Sequence, residues 1–154
     1  HGLLLDKGFR YDVVDAVEQV NAHNPAVAAE QAGVLSAWVA REDWGVILPA
    51  YSRCLRMTRD LPREFSVNGS LLVEPEEKAL FERVQQAQQS LKTQPTFENA
   101  LGQIEKLVTV INAFFDKVLV MVDDEALRNT RLGMLQEIAG LLKPFADISR
   151  LEGF

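Results

Sequence analysis

Apolar residues recur at intervals of three and four along almost the whole chain. Nowhere do they alternate cleanly for long, so the pattern predicts helices and no sheet. Val13, Val14, Val17 and Val20 make one side of a helix that Asp12 can cap and that ends near Asn21. Asn24 followed by Pro25 opens a second, because proline at the first helical position loses no hydrogen bond. That helix buries Val27, Ala28, Ala32, Leu35 and Trp38 and runs to about Arg41. A third starts around Asp43 or Pro49 and continues to about Asp60, with Pro49 either opening or kinking it.

From 61 to 74 prolines, Asn68 and Gly69 break the period, which predicts an extended connection. Pro75 then starts a helix with Leu80, Val84, Ala87 and Leu91 on one face and glutamines and charges opposite. Thr96 caps the next, whose stripe is Phe97, Leu101, Ile104, Leu107 and Val108. Asn112 is read as the cap of a short separate helix holding Phe114, Phe115, Val118 and Leu119. Asp123 and Asp124 place negative charge at the start of a long final helix, where the helix dipole favours it. Leu127, Met134, Ile138 and Leu141 line that helix, and Pro144 marks its end. The sum is an all-α antiparallel helix bundle, led by a helical hairpin.

Composition leaves this picture standing and removes several functions. With 154 residues, 47% hydrophobic and 25% charged, the chain suits one domain, or one domain with a piece of a neighbour. A single cysteine, Cys54, excludes an internal disulfide and a multi-cysteine metal site, and fits a reducing cytoplasm. No apolar run approaches the roughly 20 residues of a membrane span, so no membrane partner is expected. The amino-terminal Gly-Leu-Leu-Leu reads as the tail of a helix from a longer chain, with His1 as a fragment or tag scar. The net charge of −6 argues against broad nucleic-acid affinity, so any RNA binding must use a local patch.

Catalytic chemistry is hard to build here. His23 stands beside a helix start and reads as solvated or capping; Cys54 falls on an apolar helix side and reads as core filler. No phosphate loop or paired-histidine motif is present, and acid pairs sit at helix starts where capping explains them. No catalytic residue, metal or cofactor is therefore assigned. At about 100° per residue, Ala50, Tyr51, Cys54, Leu55, Thr58 and Leu61 gather on one side of the third helix, and Arg53, Arg56 and Arg59 gather on the other. That arginine strip is a candidate phosphate-binding face, or else an ordinary solvated one. Arg131 falls on the buried stripe of the last helix and needs a partner; Asp116 is a candidate for a structural ion pair, an RNA contact being the alternative. Phe114 and Phe115 are candidates for base stacking, although their spacing favours core packing.

One block carries a resemblance. Phe114-Phe115-Asp116-Lys117-Val118-Leu119-Val120-Met121, the acids after it, and Leu127-Arg128-Asn129-Thr130-Arg131-Leu132 resemble the end of the glycyl-tRNA synthetase beta family. The closing Ala146-Asp147-Ile148-Ser149-Arg150-Leu151 and the upstream segment from Gly8 to Val17 are similar to that family as well, so the likeness covers nearly the whole chain. Arginyl-tRNA synthetase, which shares the DALR-type bundle, is a weaker match at its terminus. The resemblance implies a DALR-type anticodon-binding bundle over 42–154, preceded by a helical segment over 1–41 from the end of another region. It implies a non-catalytic piece of a cytoplasmic glycine–tRNA ligase, whose parent uses ATP and Mg2+. The implied partners are glycine tRNA, the remainder of the beta subunit, and the alpha subunit or alpha portion. Arg53, Arg56 and Arg59 are the expected RNA-binding residues, with Lys117 and Arg128 beside them. Arg56 departs from the family, many members of which have asparagine there. The competing reading is a free-standing, non-enzymatic helical interaction module.

Overall fold

The computed structural model describes residues 2–154, so the expectation about His1 lies outside the described residues. Helices account for all the regular structure among them: α1 (Gly2–Asp6), α2 (Tyr11–Asn21), α3 (Pro25–Val39), α4 (Trp44–Thr58), α5 (Pro75–Thr93), α6 (Phe97–Lys117) and α7 (Glu125–Gly140), with short 3-10 turns at Gly69–Leu71 and Ile148–Arg150. The expected all-α bundle is the observed fold.

The start signals act through their side chains. The Asn24 side chain accepts from the Val27 amide, Thr96 from Asn99 and Asp124 from Leu127, each satisfying one of the orphan donors of a first turn. Glu74 and Glu77 exchange reciprocal bonds ahead of Pro75. Two expectations need correction. Asp12 lies inside the first turn of α2, with Arg10 at the cap position; its carboxylate accepts from the Val13 and Glu152 amides, both at 2.9 Å, and so ties the helix start to the end of the chain. Asn112 caps nothing, because α6 runs unbroken from Phe97 to Lys117. Ile104, Leu107, Ile111 and Phe114 form one continuous buried stripe, and an exposed mid-helix asparagine costs too little to interrupt it. Val118 and Leu119 fall beyond its end. Pro49 sits inside α4, which begins at Trp44.

α4 packs against α6 and α7, and α5 packs against the same two, so α4 and α5 occupy opposite corners of a four-helix bundle. α5 and α6 are antiparallel across a short turn, where Asn99 bonds the Ser90 hydroxyl at 3.0 Å. α4 is joined to α7 by the Tyr51 hydroxyl donating to the Ala139 carbonyl at 2.7 Å. A diagonal step cannot be made with a tight turn, and the extended 61–74 segment makes it by running over α7. Its backbone is pinned there by side chains of α7: Gln136 accepts from the Phe65 amide (2.8 Å) and donates to the Arg63 carbonyl (2.9 Å), while Thr130 accepts from the Asn68 amide (3.2 Å). Gly133 permits the approach, since a Cβ there would lie 2.7 Å from the Phe65 carbonyl oxygen.

α2 and α3 form the leading hairpin and lie on the bundle. Asn21 donates to the Phe145 carbonyl (3.0 Å), Asp147 donates its amide to the Ala16 carbonyl (2.8 Å), and the Trp38 indole donates to Glu98 (2.9 Å). Cys54 is fully buried in α4, where burial pushes its thiol up to about 12, so it behaves as a small apolar filler.

Candidate nucleic-acid interface

The site is built from the outer face of α4. Its inner face is fixed by Tyr51, Cys54, Leu55 and Thr58, all buried, and 3.6-residue geometry then turns Arg53, Arg56 and Arg59 outward together. All three are exposed, and none pairs with a carboxylate among the described residues. That absence matters in a chain of net charge −6. Arg10, Arg41, Arg131 and Arg150 all spend their charge on acids, whereas the α4 strip keeps its charge for an outside anion.

Aromatic rings hold the strip in place. The Arg53 guanidinium lies over Phe115, 4.0 Å from the ring centroid, and Arg56 and Arg59 lie 5.4 and 5.6 Å from the ring of Phe154. A ring face attracts a cation without neutralising it, so the guanidinium edges remain free to donate. Beneath this layer Phe114 is fully buried and meets Phe115 edge-on, with centroids 5.4 Å apart and planes at 74°. The two phenylalanines therefore divide their roles: Phe114 packs in the core, and half-buried Phe115 supports a surface arginine. Arg59 also lines a cleft of about 340 Å3 with Lys143, Tyr51, Leu55 and Asp147. Lys143 thus extends the basic face from the turn after α7, a neighbour that no spacing within α4 could reveal. Exposed Arg63, 4.6 Å from the Phe65 ring, carries the run of arginines into the crossover.

The remaining sequence candidates are arranged differently. Lys117 is exposed in the last turn of α6, two residues beyond Phe115, and makes no ion pair among the described residues. Arg128 is half-buried and donates to the Val122 carbonyl at 3.0 Å, which ties down the segment between α6 and α7. Arg131 is indeed buried and ion-paired, but its partner is Glu77 of α5; Asp116 is exposed at the end of α6. The two Arg131 bonds to Glu77 measure 3.0 and 3.2 Å, and a third goes to the Leu119 carbonyl at 2.6 Å. The correction is geometric: α7 faces α5 where the stripe carries Arg131, and the fully buried Glu77 carboxylate needs the charge. Burial works to raise the Glu77 carboxyl, but Arg131 and the backbone N–H groups of Glu74 and Val73 outweigh it and hold the group below its ordinary value.

No group of three or more His, Cys, Asp or Glu side chains among the described residues is placed to hold a metal ion. Nor is any helix among them long and apolar enough to cross a membrane. His23 is exposed at the start of α3.

The chain is similar to known proteins. The family model for the DALR anticodon binding domain matches residues 47–148, from the first turn of α4 to the turn after α7. The chain belongs to the DALR anticodon-binding domain family. Among its curated relatives are the glycine–tRNA ligase beta subunits of Acidobacterium capsulatum, 33% identical over 94% of this chain, and Moorella thermoacetica, 35% identical over 97%. That of Thermodesulfovibrio yellowstonii is 37% identical over 76%. The chain spans about 22% of the length of the first two and 18% of the third. The DALR match contains all three strip arginines, Phe115, Lys143 and Arg63, and it leaves Phe154 outside.

Proposed function

We propose that this DALR domain binds the anticodon region of glycine tRNA as part of a cytoplasmic glycine–tRNA ligase. It would act beside the remainder of a beta subunit and an alpha subunit or portion that carries the ATP- and Mg2+-dependent chemistry. The observation that carries the reading is the outer face of α4, where three arginines without acidic partners rest on aromatic rings in a domain of the anticodon-binding family. In this reading the strip and Lys143 place the phosphate backbone, and unstacked anticodon-loop bases are read against the same face. Lys117 is a further phosphate contact, and Arg128 serves chiefly to hold its loop. The domain contributes affinity and selection, and bond-making belongs to the rest of the enzyme.

The test is equilibrium binding of glycine tRNA by the protein carrying this chain, measured across a salt series. The triple variant Arg53→Ala/Arg56→Ala/Arg59→Ala should bind more weakly and lower the slope of log affinity against log salt by about two to three. A changed anticodon should weaken the wild type. An unchanged slope in the triple variant refutes the reading. Binding that ignores the anticodon favours the second reading, a protein-interaction module. The observation on its side is a groove of about 640 Å3 between α5, α7 and the crossover, lined by Phe65, Leu91, Leu141 and Phe145 with Glu64 and Glu137.

A further inference from the structure

Within that reading, on which this inference rests, the three arginines are not equivalent. We propose that Arg53, laid on Phe115, is a stacking platform for one unpaired nucleobase, while Arg56 and Arg59 are phosphate ligands.

The distinction comes from geometry. At 4.0 Å from the centroid, the Arg53 guanidinium is at stacking distance from the Phe115 ring, whereas Arg56 and Arg59 sit 5.4 and 5.6 Å from the single ring of Phe154. A planar guanidinium whose inner face is covered by a ring presents its outer face to the next flat group. Nucleobases are flat, polarisable groups of that kind, and arginine planes are among the surfaces on which single-stranded bases stack. Two guanidinium groups sharing one ring at longer range are not covered by it at stacking distance, and their N–H donors suit phosphate oxygens.

The support beneath the platform is rigid. Phe114 is wholly buried and fixes Phe115 edge-on; Phe115 in turn fixes Arg53. Such a column lowers the conformational entropy lost when a base arrives. Arg41 over Trp38 has comparable stacking, at 4.2 Å, but its guanidinium is bonded to both Asp43 and Glu105. Arg63 over Phe65 lies on the crossover, away from the α4 register. Among the described residues Arg53 alone combines close stacking, exposure, freedom from carboxylates and alignment with the strip.

The experiment uses the protein carrying this chain and glycine-tRNA anticodon stem-loops, either intact or with one loop nucleotide at a time made abasic. Arg53→Lys keeps the charge and removes the plane. It should weaken the intact stem-loop roughly fivefold to tenfold and leave the salt slope unchanged. For one particular abasic loop, wild type and variant should bind alike. Phe115→Leu should reproduce the loss, and Phe115→Tyr should restore binding. By contrast, Arg56→Ala and Arg59→Ala should each lower the slope by about one and weaken every abasic loop by the same factor.

The platform is overturned if Arg53→Lys binds like wild type, or if its loss is the same on all abasic loops. It is also overturned if Arg53→Ala behaves like the other two arginine variants. Such results leave the tRNA-binding reading intact, because that reading stands or falls on the triple variant.

Discussion

Removing the charge of Arg131 is the sharpest perturbation of this fold. The Arg131 side chain is 7% exposed and that of Glu77 0%. Arg131→Met keeps the length and apolar stem of the side chain but leaves the Glu77 carboxylate buried, with backbone N–H donors as its remaining support. Stranding one member of such a pair costs about 3–5 kcal/mol, and the Leu119 carbonyl, which loses its donor, adds about 1 kcal/mol. Against a domain stability of roughly 5–15 kcal/mol, the variant should still fold at 25 °C with a much lower urea midpoint. Glu77→Leu should lose a similar amount. The double variant should lose only about 1–3 kcal/mol, because no charge is then left without its partner. Urea unfolding followed by far-ultraviolet circular dichroism supplies all three values. Single losses below about 1 kcal/mol, or losses that simply add in the double variant, refute the assignment of this pair as the lock between α5 and α7. Acid supplies a second test. The folded carboxyl of Glu77 lies below its ordinary value, so its contribution is full above the unfolded pKa of about 4.3 and is lost as pH falls through the lower folded value. Wild type should therefore lose stability on acidification below about pH 4, and that acid-linked loss should shrink in Arg131→Met.

Three further outcomes are expected. Gly133→Ala should destabilise by about 1–3 kcal/mol despite the better helix propensity of alanine, because its Cβ meets a backbone oxygen that cannot swing aside; an unchanged urea midpoint counts against the crossover path. The Ser52 hydroxyl is buried without a hydrogen-bond partner among the described residues, so Ser52→Ala should be neutral or stabilising by about 1 kcal/mol in the same assay, and a clear loss would show a missed partner. Cys54 should react with a thiol reagent only at the rate of unfolding, since it is fully buried and its thiolate is suppressed; rapid labelling in native buffer contradicts that packing.

The legible parts of this fold were those written locally. Asn24-Pro25, Thr96, Pro75 and Asp124 announce helix starts because a cap and its target amide lie three residues apart. The arginine strip was legible for the same reason, three residues being nearly one turn. Asn112 misled because it resembles a cap, while the decisive fact, an unbroken buried stripe from Ile104 to Phe114, depends on what packs against it. Glu77 could not be named as the partner of Arg131 because the two meet across 54 residues of chain. The rings under the arginines were hidden likewise: Phe115 comes from α6 and Phe154 from beyond the last helix.

The diagonal placement of α4 and α5 has a consequence for how the molecule is made. α4 finds one of its two neighbours, α7, only after the chain has gone out and back: Tyr51 bonds a carbonyl 88 residues downstream. At a synthesis rate of about 5–20 residues per second, that delay is roughly 4–18 s. For that time the inner face of α4, with Tyr51, Cys54 and Leu55, waits on the ribosome without α7 to cover it, and Arg56 and Arg59 wait longer still for the ring of Phe154. The arginines that would meet RNA thus emerge well before the rings and the core that hold them in shape, and a nascent chain is sticky on both sides of one helix until α7 and the chain end arrive.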